Sequence, residues 1–132
     1  MKLFTTTTSL TAVLTFIGNA AARWDCESPS GGPGFDALRA DHQAFNRAFG
    51  NPRLTADAEK CFVSRCNGRD LAWCNMTPAR KSEISNERNV MAATSPGTGK
   101  NCFWVVDGGA YLWYADNYSM MWPAASVDIR RC

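Results

Sequence analysis

The stretch Lys60-Cys61-Phe62-Val63-Ser64-Arg65-Cys66-Asn67-Gly68-Arg69-Asp70-Leu71-Ala72-Trp73-Cys74 decides how this chain folds. Asn67-Gly68 stands between two apolar runs, and both residues accept the positive φ that a type I′ hairpin turn demands. With these two as the turn, Arg65 faces Asp70, Phe62 faces Trp73 and Cys61 faces Cys74. Counting outward from the hydrogen-bonded pair Cys66/Arg69 puts Cys61/Cys74 on a non-hydrogen-bonded pair, where side chains approach most closely. The spacing therefore predicts a cross-strand disulfide Cys61–Cys74. In the chain-entropy description a loop of this size is stabilised by about 3 kcal/mol on closure.

Toward the N-terminus, Phe35, Leu38, His42, Phe45 and Phe49 recur at steps of three and four, which marks one face of a helix over residues 35 to 49. Gly50-Asn51-Pro52 ends it, with Gly at the C-terminal cap and Pro shortly after. Before it, Ser28-Pro29-Ser30-Gly31-Gly32-Pro33-Gly34 reads as a loop tethered by Cys26. Beyond the hairpin, Thr77-Pro78 to Met91 reads as a short helix capped by Thr77 or as an irregular connection, with Ile84 its central apolar anchor. Residues 94 to 100 form a loop, whose Gly97-Thr98-Gly99-Lys100 lacks the spacing of a phosphate-binding loop.

A second hairpin joins Cys102–Val106 to Ala110–Tyr114 through Asp107-Gly108-Gly109, with a turn of two or three residues. The alternation Ser126-Val127-Asp128-Ile129-Arg130 reads as a half-buried strand. The expected class is α+β: one helix packed on an antiparallel sheet of hairpins, held by three disulfides.

Residues 1–22 carry Lys2, an apolar run through Phe16 and Ile17, and a small-residue close at Ala20-Ala21-Ala22. That pattern is an export signal, too short and threonine-rich to cross a bilayer. Its removal leaves 132 − 22 = 110 residues, 23–132, enough for one domain. Cys26, Cys61, Cys66, Cys74, Cys102 and Cys132 all lie within it, an even count that fits three disulfides in a secreted, monomeric chain. With Cys61–Cys74 set, three pairings of the other four remain; the expected one is Cys26–Cys132, tying the ends, and Cys66–Cys102, joining the hairpins.

Lys2 is one of 14 basic residues, so the exported chain has 13 against 12 acidic, a net charge of +1. That near-balance gives no electrostatic footprint for nucleic acid, and no later segment is apolar enough for a membrane anchor. No HExxH or GxSxG is present, and disulfide-bonded cysteines are neither nucleophiles nor metal ligands, so no catalytic residue, metal or cofactor is expected. His42, the single histidine, lies on the apolar stripe with Leu38 and Phe45 and reads as a packing residue.

The C-terminal third concentrates Trp104, Tyr111, Trp113, Tyr114, Tyr118 and Trp122. Alternation sends about half of them to the core; the rest are candidates for a contact surface, with Tyr111, Trp113 and Trp122 the expected binding residues. Asn117-Tyr118-Ser119 is an acceptor for N-glycosylation in a eukaryotic host; Asn75-Met76-Thr77 is a second, disfavoured by Pro78 and by the neighbouring Cys74.

The Ala-rich cleavage site, the six cysteines, the helix followed by hairpins and the closing Asp128-Ile129-Arg130-Arg131-Cys132 together resemble the small, secreted, cysteine-rich proteins of fungi, including host-directed effectors and killer-toxin-like proteins. The resemblance implies a non-enzymatic virulence or toxin protein that acts outside the cell by recognising a host or competitor protein or a cell-wall glycan. A carbohydrate-binding module using Tyr111, Trp113 or Trp122 as a stacking platform is the first alternative. A helix packed on an antiparallel sheet with disulfides also resembles the fungal guanyl-specific ribonucleases, and that likeness implies a histidine, a glutamate and an arginine converging on one cleft. Only His42, with Glu59 or Glu83, is at hand for such a role.

Overall fold

The computed structural model describes residues 24–116 and 122–132. The expected export signal and the expected glycan acceptor Asn117 lie outside the described residues. In chain order the elements are β1 (Asp25–Ser28), α1 (Phe35–Phe49), β2 (Thr55–Ala56), β3 (Lys60–Cys66), β4 (Arg69–Asn75), β5 (Lys81–Ser82), α2 (Glu87–Ala92), β6 (Lys100–Val106), β7 (Gly109–Tyr114) and β8 (Ser126–Arg131). Six strands form one sheet in the order β1-β6-β7-β4-β3-β8, and β2 pairs with β5 in a small two-stranded ribbon.

The β3–β4 hairpin has the expected register throughout: Cys61 faces Cys74, Phe62 faces Trp73 and Arg65 faces Asp70. Asn67 and Gly68 take φ of 56° and 75°, as the tight turn requires. The Cys61–Cys74 disulfide is present, with a Cα–Cα distance of 4.0 Å. The second hairpin closes with the two-residue turn Asp107-Gly108, since Val106 faces Gly109. Helix α1 spans the residues that its apolar periodicity marks out, and Gly50, at φ 91°, returns its N–H to the Asn46 carbonyl to stop it.

Three expectations change. First, β8 lies parallel to β3, with Lys60 beside Ser126 and Arg65 beside Arg131, so the sheet is mixed and not purely antiparallel. This places Cys132 next to Cys66, and those two form the disulfide. Second, residues 25–28 are a strand on the far edge of the sheet, pairing Cys26 with Cys102, and the third disulfide joins them. The expected bonds Cys26–Cys132 and Cys66–Cys102 are therefore corrected: β4 and β7 lie between β3 and β6, and the two ends of the chain occupy opposite sheet edges.

Third, of the two readings of the segment after β4, the irregular connection holds at its start, and Thr77 caps no helix. Its hydroxyl bonds Asn75 Oδ1 at 2.7 Å and the Ala79 carbonyl, while Asn75 Nδ2 donates to the carbonyls of Ala56, Asp57 and Ala79. The fully buried Asn75 amide thus holds the loop after β4 in place of repeating structure, and it has no room for a glycan. The helix of this region is the later α2, and Ile84 is exposed, not an anchor.

Each face of the sheet has its own core. The face under α1 packs Leu71, Trp73, Trp104, Tyr111 and Trp113 against Leu38, Phe45 and Met91. The opposite face packs Val63, Ala72, Leu112 and the Cys61–Cys74 bridge beneath Trp122, with Val127 and Ile129 alongside. Trp24 meets Trp104 edge-on at 5.8 Å between ring centroids, a favoured aromatic geometry.

Candidate functional site

The helix side of the sheet contains carboxylates and guanidinium groups that the aromatic core alone would not tolerate. Glu83 follows directly after β5, and its N–H donates to the Leu54 carbonyl, which turns its side chain inward. There it meets Arg88, the second residue of α2; the two side chains are 1% and 0% exposed. A buried carboxylate needs every lone pair engaged. Glu83 Oε1 accepts from the Leu54 N–H at 2.7 Å and from Arg88 Nη2; Oε2 accepts from Arg88 Nε at 3.0 Å and from the Tyr111 hydroxyl. Arg88 Nη1 donates onward to Asn46 Oδ1 at 2.7 Å and to the Gly50 carbonyl, and its guanidinium lies over the Phe45 ring.

That chain of bonds reaches the surface at His42. Because Asn46 Oδ1 accepts from Arg88, the Asn46 amide presents Nδ2 to His42 Nε2, at 3.4 Å. His42 Nε2 is therefore the acceptor and Nδ1 carries the proton of the neutral ring. Burial, and then the Arg88 charge, hold the imidazole below its ordinary pKa, against an opposing pull from Glu83. The Tyr111 hydroxyl is pushed well above the usual phenol range, first by burial and then by its bond to the Glu83 carboxylate.

Two further ion pairs tie elements together. Asp41 of α1 receives a two-pronged contact from Arg69 of β4, at 2.7 and 3.0 Å, and the Trp113 indole N–H at 2.8 Å. Arg65 and Asp70 face each other across the first hairpin with two bonds of 2.8 Å, and that bond raises the Arg65 pKa. Trp104 donates to Glu87 and Trp24 to the Thr94 carbonyl, so these two indoles carry their one polar atom to a partner at the core boundary, whereas the buried Trp122 Nε1 has no partner among the described residues.

His42 opens on a groove of about 240 Å³ between α1 and α2, bordered by Arg39, Gln43 and Asn89. Asn89 also borders a wider, shallow hollow with Asn51, Arg53, Ser85 and Asn86. Hydrogen bonds thus connect His42, through Asn46 and Arg88, to Glu83. In this arrangement Glu83 and Arg88 are sealed from solvent and fully bonded, so their geometry is that of a clamp between α1, α2, the 50–54 segment and β7. No His/Cys/Asp/Glu group among the described residues is arranged to hold a metal ion.

The expected binding aromatics point elsewhere. Tyr111 and Trp113 are each 1% exposed, and Trp122 is buried against Tyr114 on the opposite face. Trp113 and Tyr111 share the face under α1, where helix packing and their polar partners Asp41 and Glu83 hold them in; neither presents a ring to a ligand. What the sequence reading missed is Asp41. It falls three residues after Leu38 and four before Phe45, on the buried stripe, a position that for a carboxylate signals a cationic partner.

The exposed residues of β6 are apolar, while those of the edge strands β1 and β8 are polar or charged. Phe103 and Val105 alternate with buried Trp104 along β6, so both point to the face away from α1. Val105 is 55% exposed, and Phe103 and Met76 are also open to solvent. Facing them on β7 are Leu112 and Ala110. No helix of the described residues is long and apolar enough to cross a membrane. No family model, curated protein or solved structure matches the chain.

Proposed function

We propose that this chain is an exported recognition protein of the effector or toxin type, which acts by surface contact with a host or competitor target and not by chemistry. The observation that carries this reading is the outward strip Phe103-Val105 on β6, bordered by Ala110 and Leu112 of β7. Exposed apolar residues on a rigid sheet face are a hallmark of contact surfaces. The three disulfides support an oxidising, extracellular destination.

The test applies purified protein to plant tissue and to competing fungal cells and compares it with Val105→Asp and Phe103→Asp. Val105 is 55% and Phe103 37% exposed, so Val105→Asp is the cleaner variant, and circular dichroism and disulfide mapping select the variants that keep the native fold. Loss of the biological response in these folded variants supports the reading; a full response removes it. The one observation favouring a ribonuclease-like alternative is the His42–Asn46–Arg88–Glu83 connection. RNA cleavage by the native chain that disappears in His42→Ala establishes that alternative.

A further inference from the structure

The two edges of the six-stranded sheet are finished differently. β1 is a four-residue strand whose ladder skips Glu27, across from Asn101 at φ 55°, and Pro29 follows it directly. Asp25 and Glu27 add like charges, so this edge carries the marks of one closed to further pairing. β8, at the other edge, runs six residues in unbroken register with β3 and contains neither Pro nor Gly. The Ser126 N–H donates to the Glu59 carbonyl and the Cys132 N–H to the Arg65 carbonyl, so the even-numbered residues turn their backbone groups toward β3. Alternation then turns the N–H and C=O of Val127, Ile129 and Arg131 outward, where no strand of the described residues meets them.

An open strand edge is a template for another strand, and its own side chains decide what fits. Asp128 and Arg130 lie on the α1 side with Phe62 and Ser64; Val127 and Ile129 lie on the other face with Cys61 and Val63. A second β8 laid antiparallel must match outward residue with outward residue, since only those exchange backbone hydrogen bonds. The register that uses every outward group centres the two-fold axis on Ile129, pairing it with the partner's Ile129, and Val127 with the partner's Arg131. Asp128 then faces the partner's Arg130, and Arg130 the partner's Asp128, at non-hydrogen-bonded positions where side chains come closest. Moving the axis by one residue sets Asp128 against the partner's Asp128 or Arg130 against the partner's Arg130, both like-charge pairs. The charges that would guard an edge are here complementary to themselves.

From this arrangement we infer that β8 is a docking edge for a second copy of this chain, giving a two-fold dimer whose sheet runs through both copies, in place of the monomer expected from the sequence. Helix α1 packs over β3 and β4, so with strands about 4.8 Å apart the two α1 axes lie about 19 Å from each other, beyond the diameter of about 10–12 Å of a helix. Within one chain the Arg130 guanidinium is braced by the Ala48 carbonyl and the Phe49 ring, and its Nη2 donates to Asp128 at 3.3 Å. Pairing gives each Asp128 carboxylate a second guanidinium. Arg131 lies on the other face, where its stem covers the partner's Val127 and its charge stays in water. A ladder of this length falls in the class that buries less than about 1,200 Å² in total, so the dimer is weak and reversible. The β6 strip is toward the opposite edge of the sheet and stays open in both copies.

Sedimentation equilibrium of the intact, oxidised chain from about 10 μM to about 1 mM tests it, the range over which an interface of that class dissociates. The expected result is a mass that rises from one chain toward two and no further, with amide NMR shifts over the same range at Val127, Ile129 and Arg131. Asp128→Arg and Arg130→Asp each set like charges across the axis and stay single at every concentration. Mixed in equal amounts, the two variants restore opposite charges at both positions and associate. Arg131→Pro removes an N–H that bonds to no strand within one chain, and weakens association about tenfold or more. Circular dichroism and disulfide mapping check the fold of each variant, and Arg131→Pro carries the test where a charge variant does not fold. A single-chain mass throughout, or growth beyond two, overturns the inference. So do folded charge variants that pair alone or fail to pair when mixed, an Arg131→Pro chain that pairs as tightly as the native one, and a dimer abolished by Val105→Asp.

Discussion

Replacing Arg88 with Met isolates the energetic role of the buried clamp. Methionine fills most of the same volume and keeps contact with Phe45, so what is lost is the guanidinium and its four hydrogen bonds, two to Glu83, one to Asn46 and one to the Gly50 carbonyl. Glu83 retains the Leu54 N–H and the Tyr111 hydroxyl but has no counter-charge in a site closed to water. Breaking a buried pair by removing one partner costs about 3–5 kcal/mol. Domains of this size have only about 5–15 kcal/mol of stability, and each kcal/mol is worth about 4–5 °C in midpoint, so Arg88→Met should lower the Tm by roughly 12–25 °C. Replacing Glu83 with Leu as well removes the stranded charge, and the double variant should be more stable than Arg88→Met alone, a coupling of at least ~1 kcal/mol. Calorimetry and urea unfolding of the oxidised protein measure both. A loss below about 1 kcal/mol in Arg88→Met, or a double variant that loses the sum of the two singles, refutes the clamp.

Asn75→Ala removes an amide that donates to three carbonyls and receives two bonds from Thr77; a loss of about 2–3 kcal/mol in urea unfolding is expected, and native stability would show the loop to be held by other means. Tyr111 has a folded pKa above the phenol value of 10.0, so its contribution is fully present below about pH 10 and is lost as pH rises further. Stability measured against pH should therefore fall on the alkaline side in native protein, and Tyr111→Phe should flatten that fall. His42 runs the other way: its depressed pKa gives a contribution present above pH 6.5 that fades as pH falls below it, and His42→Gln should abolish this acid-side slope. Removing Cys66–Cys132, which spans 66 residues, should cost about 4 kcal/mol against about 3 for the 13-residue Cys61–Cys74 loop; comparing the two double-Ala variants by calorimetry gives the order directly.

Local signals carried the central hairpin and the long helix. Asn67-Gly68 determines a register because a two-residue turn leaves no freedom, and Phe35 to Phe49 repeat often enough to define a face. Pairings that need distant segments were not legible. Residues 25–28 are too short to show alternation, and nothing in Ser126–Arg131 distinguishes a parallel neighbour from an antiparallel one. Both missed disulfides follow from those two edges. The aromatic residues were legible as strand positions but not as to side: Trp113 and Tyr111 alternate like surface residues, and only the helix packed above them and the buried Asp41 and Glu83 beside them make that face the interior. Glu83 and Arg88 are five residues apart in a segment without periodicity, so their convergence with Asn46 and Tyr111 had no sequence signature.

The proposal that recognition resides on the outer sheet face meets its most direct test in site-specific photo-crosslinking. A photoreactive phenylalanine analogue is placed at Val105, on the apolar strip, or at Val90, an exposed valine on α2. Each variant is irradiated on responsive cells. The account predicts a discrete adduct from position 105 that excess native protein competes away, and none from position 90. Adducts of equal yield from both positions, or an adduct from position 90 alone, contradict it.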